Sequence, residues 1–423
     1  MILVNQHIEK LKPSATLAIN QKVKELRCGG SHVNHFGFGQ SPFPIHSSIV
    51  NTLKKNADNN NYLPTLGLEL LRETIVKYLA DFHKVNSEPK NVLIGPGSKE
   101  LLYQTFLLLE GTFLIPKGSW VSYGPQIKAK GSSFEVLETS LETNFKLSAQ
   151  VLENYCISHL EEQKILILNS PNNPTGAVYS IEELKELSKI CRKYSIIVLS
   201  DEIYALLNFS HQMSPSIAEF YPEKTIVFGG LSKIFSAGGY RLGFLSLPKQ
   251  MEHLRSVYKS LFSETFSAVA SPIQFAAVEA FMMKPDIQAY IAHCSRILKE
   301  LSNFIYNKLI NANITCTQPQ GAFYLMIGFN NFEKLIHRKL KIKSNNSMAN
   351  YILDHYNVAL LPASDFYFDE NELYFRLAFV DFDGKGLLEK VESSEIIDEN
   401  FIKNNCSNIY QGVNKLIEFT KEL

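Results

Sequence analysis

The sequence offers no stretch suited to crossing a membrane. Its most apolar run, Thr105 to Pro116, is broken by Glu110-Gly111 and is too short to span a bilayer. Neither sign of charge is in excess: 42 Lys plus Arg stand against 42 Asp plus Glu. That balance gives no bulk drive towards nucleic acid or an anionic lipid surface, so neither is expected as a partner. Cysteine is sparse and scattered, at 28, 156, 191, 294, 316 and 406, with no C-x-x-C pair. The spacing speaks against a zinc knuckle and a dithiol redox motif, and no metal is expected. Free buried thiols fit a reducing compartment. The opening, Met1 to Lys12, has a short apolar start (Ile2-Leu3-Val4) followed by Asn, Gln and charges. It lacks the longer apolar core of a signal peptide, and a cytoplasmic protein is expected. No repeat period is visible.

What is present is ordinary globular material. Apolar residues make up 45% of 423 positions and charged residues 20%. A chain of this length exceeds what one core serves, so two domains are expected. From about residue 90, short apolar runs alternate with helical patterns. Asn91–Ile94, Thr112–Ile115, Lys164–Leu168, Ile196–Leu199 and Thr225–Phe228 read as strands. Helices are expected at Ser98–Leu109 and Ser180–Tyr194, the latter with Ser180 and Glu183 as a capping box. Continuous apolar strands separated by helices indicate a mainly parallel sheet covered on both faces, an α/β fold. After about 290 the pattern shifts to a smaller α+β lobe, built from a helix over Ala289–Asn311 and strand-like runs at Gly321–Leu325, Val358–Leu361 and Leu373–Phe379. The N-terminal residues Lys12–Arg27, with Leu17, Ile19, Val23 and Leu26 at helical spacing, are expected to join it. Two Asn-rich stretches, Lys54–Asn61 and Lys341–Asn350, read as surface loops or frayed helix ends.

In sheets of this kind ligands bind at the carboxyl ends of the strands. The polar residues that follow the apolar runs are Gly97-Ser98-Lys99, Asn172-Asn173, Asp201 to Tyr204, and Ser232-Lys233. A lysine just after a buried strand is costly unless its amine is solvated, paired or chemically used. Lysine also forms Schiff bases, and burial lowers its pKa towards what that chemistry needs. Eight residues on, Arg241 sits in a glycine-rich turn that could bring a guanidinium back against a phosphate. Asp201 ends a strand, where it could be a helix N-cap or the partner of a protonated pyridine nitrogen. Tyr204, and Asn173 in Pro-Asn-Asn-Pro-Thr-Gly176, could reach a ring oxygen. Gly95-Pro-Gly-Ser-Lys99 opens a helix, which is either a plain capped turn or an anion site. Trp120, the only tryptophan, is a core residue by default and a stacking surface for a flat cofactor in the sharper reading.

Taken together, in this order and spacing, these elements resemble the class I aminotransferases of the fold-type I pyridoxal-phosphate enzymes. The resemblance runs from Lys12-Pro-Ser-Ala-Thr-Leu-Ala-Ile19 to about residue 395. That opening is similar to the bacterial aspartate aminotransferase branch. The resemblance implies a large domain at 46–288 with a mainly parallel seven-stranded sheet, and a small α+β domain from 1–45 and 289–423. It implies pyridoxal 5'-phosphate as cofactor, with Lys233 as the Schiff-base lysine and proton shuttle. Asp201 matches the partner of the pyridine nitrogen, with Tyr204 and Asn173 on the ring oxygen. Ser98, Lys99, Ser232 and Arg241 match the phosphate cradle, Lys99 mainly through its backbone, and Trp120 matches the stacking aromatic. Tyr62 matches a tyrosine that reaches the phosphate of the neighbouring subunit, which implies a homodimer with shared sites. Arg376 matches the arginine gripping the substrate α-carboxylate, and Gly39 the backbone position closing over it.

There are departures. Gly230 stands where many relatives have a phosphate-binding serine, so one phosphate contact is expected to be missing. Gln40-Ser-Pro-Phe43 replaces the commoner Glu-Pro-Asp-Phe, and Ala363 stands where Pro-Gly is usual. A helical tail from Ser394 to Leu423 has no assigned role. The implied activity is transfer of the amino group of an L-amino acid, aspartate-like or broadly chosen, to a 2-oxo acid such as 2-oxoglutarate by a ping-pong scheme. The alternatives are a carbon–sulfur lyase or other elimination on the same scaffold, and a non-catalytic cofactor-binding regulator. Regulators of that kind commonly append a DNA-binding domain, and the family-like opening near Lys12 leaves no room for one upstream.

Overall fold

The structure is a computed structural model that describes residues 3–210, 213–391 and 396–423. The first two residues of the expected N-terminal opening and the first two of the expected tail (Ser394 and Glu395) lie outside the described residues. Seven strands form the main sheet: β1 (Val92–Gly95), β2 (Thr112–Pro116), β3 (Phe134–Leu137), β4 (Lys164–Asn169), β5 (Ile197–Asp201), β6 (Thr225–Gly230) and β7 (Gly243–Ser246). Their spatial order is β1-β7-β6-β5-β4-β2-β3. All neighbours pair in parallel except β7, which runs antiparallel to both β1 and β6. Every residue of β4, β5 and β6 is buried, which is why these strands read as unbroken apolar runs. Helices cover both faces; Ser98–Leu108 and Ile181–Lys193 lie where the sequence placed them, and both halves of the Ser180–Glu183 capping box are present.

The smaller lobe holds a four-stranded antiparallel sheet of β8 (Thr315–Cys316), β9 (Tyr324–Gly328), β10 (Leu361–Pro362) and β11 (Tyr374–Ala378), in the order β10-β11-β9-β8. A 27-residue helix, Pro285–Asn311, joins the lobes without a linker. Its first turns bury Ile287 and Ile291 in the core under the main sheet, and its later turns bury Ile297, Leu301 and Ile305 in that of the smaller lobe. The expected boundary at 288 falls inside this helix, because one helix serves two cores.

One expectation needs correction and another is sharpened. The stretch Lys341–Asn350, read as a surface loop or a frayed helix end, holds a short loop and the start of the helix Asn345–Tyr356, but Asn345 itself is fully buried and donates to the carbonyls of Asp369 and Glu372, both at 3.0 Å. Composition marked the asparagines as polar without showing that two buried carbonyls needed a donor. Leu17 does not join the apolar stripe of helix Ala15–Cys28; Val23 is buried there, whereas Leu17 is exposed and lines a cavity. The tail also acquires a structural role. Ile402, Ile409, Val413, Leu416 and Phe419, on helices Glu399–Asn405 and Ser407–Glu422, are buried in the smaller lobe's core. Gly412 allows a close approach of the tail, since a Cβ there would sit 2.5 Å from the Phe36 ring.

Candidate active site

A cavity of about 560 Å³ opens where β4, β5 and β6 end. It is lined by Gly39, Ser98, Lys99, Trp120, Asn173, Asp201, Tyr204, Ser232, Lys233, Arg241 and Arg376. A larger groove of about 910 Å³ holds none of the residues expected from the sequence. Strand register explains the convergence. Asn169 at the end of β4 lies beside Asp201 at the end of β5, and Asp201 lies beside Phe228 on β6, so the residues that follow leave the sheet at one edge. Tyr62 is the exception: it is 92% exposed and does not line the cavity of its own chain.

Lys233 stands at the centre of the cavity's electrostatics. Its Nζ donates to the Gly39 carbonyl at 2.9 Å. Burial is the main cause that lowers its pKa to about 8, with the Arg376 and Arg241 guanidiniums adding to it and Asp201 opposing. An amine in that range is partly neutral near physiological pH, as a nucleophile or a general base requires. Asp201, 3% exposed, is not a helix cap. Its Oδ2 accepts from the Tyr123 hydroxyl at 2.7 Å, and Asn169 Nδ2 donates to its backbone carbonyl at 2.7 Å. Burial raises its pKa to about 6, against the Tyr123 hydrogen bond that lowers it. The carboxylate is therefore ionised at neutral pH, yet holds a proton more readily than an exposed one.

One end of the cavity gathers a helix start, a guanidinium and a serine position, the kind of groups that bind anions. The helix Ser98–Leu108 starts there, next to the Arg241 guanidinium and the Ser232 position. Gly97, at φ +94°, could not be replaced without loss: a Cβ would lie 2.5 Å from Arg241 Nη2. Gly230 is equally constrained. A Cβ there would sit 2.8 Å from the Leu242 carbonyl oxygen, so a serine does not fit this backbone. Lys99 carries its Nζ 5.2 Å from the centre of the Trp120 ring, so its side chain caps the aromatic instead of pointing away.

Arg376 also lines the cavity. It is 1% exposed; Nη1 donates to Asn173 Oδ1 at 3.1 Å and Nη2 to the Gly37 carbonyl at 2.7 Å. Its Nε has no partner. A buried guanidinium with an unpaired donor suits a carboxylate brought in by a ligand. The carbonyl it holds is that of Gly37; the Gly39 carbonyl faces Lys233 instead. Asn173 is held in turn by its own N–H, which donates to Asn169 Oδ1 at 2.8 Å. The turn closes at Gly176, at φ +70°, where a Cβ would lie 2.4 Å from the Tyr324 carbonyl oxygen.

Three contributors escaped the sequence reading. Tyr123 holds Asp201 and sits three residues after Trp120 in the same motif, which was the available signal. Tyr324 shares a hydrogen bond with the Tyr204 hydroxyl at 2.9 Å and stacks 4.8 Å from the Arg376 guanidinium. Thr16, with a buried and unpartnered hydroxyl, lines the cavity beside Ser14 and Leu17. No local pattern distinguishes the last two from core or surface residues.

The family Aminotransferase class I and II matches residues 32–383. The aspartate aminotransferase of Geobacillus stearothermophilus is 34% identical over 370 residues, covering 85% of this chain and 91% of that protein. A probable aspartate/prephenate aminotransferase of Aquifex aeolicus is 31% identical over 85% of this chain and 90% of its own length. The solved structure of Thermus thermophilus aspartate aminotransferase with maleate superposes with a TM-score of 0.85 at 22% identity, over 99% of this chain and 100% of that one.

Proposed function

Because the chain belongs to the class I and II aminotransferases, we propose that it carries the amino group of aspartate, or of a similar L-amino acid, to a 2-oxo acid such as 2-oxoglutarate. The enzyme class is a pyridoxal-phosphate-dependent aminotransferase. The observation that supports the residue assignments is a single cavity holding a lysine of depressed pKa, a buried carboxylate, an anion-binding helix start and a half-satisfied buried arginine.

The side chains present fit that cofactor. Ser98, Ser232, Arg241 and the N–H groups at the helix start would hold the phosphate, with Lys99 beside them. Asp201 would face the ring nitrogen, Trp120 the ring face, and Asn173 and Tyr204 the ring oxygen. When bound, pyridoxal phosphate supplies an aldehyde that captures the substrate amine and a ring that takes up the electron pair left as a Cα proton departs. The chain supplies everything else. Lys233 Nζ is the base that accepts the proton and the acid that returns it. Arg376 fixes the α-carboxylate through the guanidinium edge that carries Nε, and Asn173 keeps that guanidinium in place. Asp201, braced by Tyr123, keeps a negative charge opposite the ring nitrogen.

The aspartate-like substrate is supported by the names of the relatives and by maleate, a dicarboxylate, in the Thermus thermophilus structure. The same proposal includes a homodimer in which Tyr62, too exposed to serve its own cavity, reaches the partner's site. It also includes a large domain at 46–288 with a small one from 1–45 and 289–423, and a cytoplasmic location in keeping with six free cysteines. Among the described residues no helix is long and apolar enough to cross a membrane. The test is an absorption titration of the cofactor-loaded protein against single amino acids without any oxo acid. Aspartate is expected to convert the band of bound pyridoxal phosphate to that of pyridoxamine phosphate, and 2-oxoglutarate to restore it. A protein that binds the cofactor but is bleached by no amino acid would sink the proposal.

A further inference from the structure

We propose that Glu202, held by His83, is a positioning residue for Asp201 that acts through the end of β5 to fix where this carboxylate meets the cofactor. The proposal rests on the reading of Asp201 as the partner of the ring nitrogen.

Consecutive residues at a strand end project to opposite sides. Asp201 lines the active cavity, whereas Glu202 lines neither cavity and is 4% exposed. Its carboxylate collects three donors. His83 Nδ1 lies at 2.5 Å from Oε2, and the Ser200 and Ser216 hydroxyls donate to Oε1 at 2.8 and 2.5 Å. Its backbone N–H donates to the Phe228 carbonyl on β6 at 2.9 Å. One residue thus ties together the end of helix Glu69–His83, the end of β5, the segment before helix Ile217–Phe220, and β6. A buried carboxylate is costly, and an apolar side chain would pack at less expense. Three donors trained on it hold this carboxylate in one place, one residue from Asp201.

The titratable groups facing the two acids are few. Tyr123, Tyr204 and Lys233 face Asp201, and His83 and Tyr78 face Glu202. The phenols of Tyr123, Tyr204 and Tyr78 are all pushed upward, mainly by burial, and stay neutral. For Asp201, burial is the leading upward influence and Glu202 adds to it, against Tyr123, the Ile203 N–H and Lys233. A carboxylate of raised proton affinity holds a ring-nitrogen proton more firmly than an ordinary one.

The experiment measures binding of pyridoxamine 5'-phosphate to the full-length cofactor-free protein by equilibrium dialysis across the acid range. This probe has the ring and phosphate but no aldehyde, so Lys233 chemistry does not enter. Glu202→Gln keeps the shape and removes the charge. It is expected to move the acid limb of binding downward by roughly half a pH unit or more, and to weaken binding at neutral pH by about threefold to tenfold. Ser200→Ala, which removes one donor, is expected to move the limb the same way by less. Melting temperatures report folding, and if Glu202→Gln does not fold, Ser200→Ala decides. A folded variant with an unmoved limb and unchanged affinity overturns the proposal. Asp201→Asn separates the two readings: if it leaves binding at neutral pH unchanged, Asp201 itself has been misassigned, whatever Glu202 does.

Discussion

At the scale of single residues, the depressed pKa of Lys233 makes a kinetic prediction. Covalent capture of pyridoxal phosphate by the cofactor-free protein needs the neutral amine. With burial, Arg376 and Arg241 holding that amine at about 8, the capture rate should rise roughly tenfold per pH unit below this value and level off above it. An ordinary lysine would keep gaining rate for two more pH units or so. Stopped-flow absorbance across this range checks the claim, and a limb near 10 would refute it. Lys233, Asp201, Asn173 and Ser98 were legible because their type is chemically conspicuous after a strand, whereas Arg376, Gly39 and Tyr62 were named only through the family resemblance. Tyr324 and Thr16 carried no such mark. Tyr324 alternates with core residues on β9, and only its nearness to Tyr204 and Arg376 makes it part of the site.

At the scale of elements, local signals worked where the local physics is self-contained. The capping box at Ser180 is an example: Ser180 Oγ accepts from the Glu183 N–H at 3.2 Å, and Glu183 Oε2 accepts from the Ser180 N–H at 2.8 Å. Ser180→Ala should cost about 1 kcal/mol of stability and roughly one to two degrees in melting temperature. Turnover should not change, because Ser180 lies outside the active cavity. Scanning calorimetry with steady-state kinetics tests both halves, and a large loss of kcat would contradict the assigned site. Buried strands were equally legible, since two covered faces demand apolar residues at every position. The short strands of the smaller lobe and the start of the Asn345 helix were less so. Their partners lie far away in sequence, as in the pairing of β9 with β11.

At the scale of the whole molecule, the proposed shared site predicts complementation. A Tyr62→Ala chain keeps its own Lys233, and a Lys233→Ala chain keeps its own Tyr62. If Tyr62 serves the partner's site, a reassociated equal mixture holds one intact site in each mixed dimer. Roughly a quarter of wild-type activity should return from two weak parents. A mixture no more active than the mean of its parents would place Tyr62 outside the shared site. The C-terminal helices also belong to this scale. Their apolar positions gave no function, and the fold shows them completing the smaller lobe's core while Lys415 donates to Asn34 Oδ1 at 2.9 Å.

Sequence by itself determined the alternation of buried strands and helices, the sheet edge at which polar residues gather, and the chemical types at Lys233, Asp201 and Arg241. These follow from short-range rules of periodicity, capping and the cost of burying charge. Arg376, Gly39 and Tyr62 came only from the family resemblance. Tertiary structure alone decided which groups hold those residues in place. Tyr123 reaches Asp201 across 78 positions, and Asn173 reaches Arg376 across 203. Glu202 finds His83 119 positions away. Such partners are set by strand order and register, which pattern along a single chain does not encode.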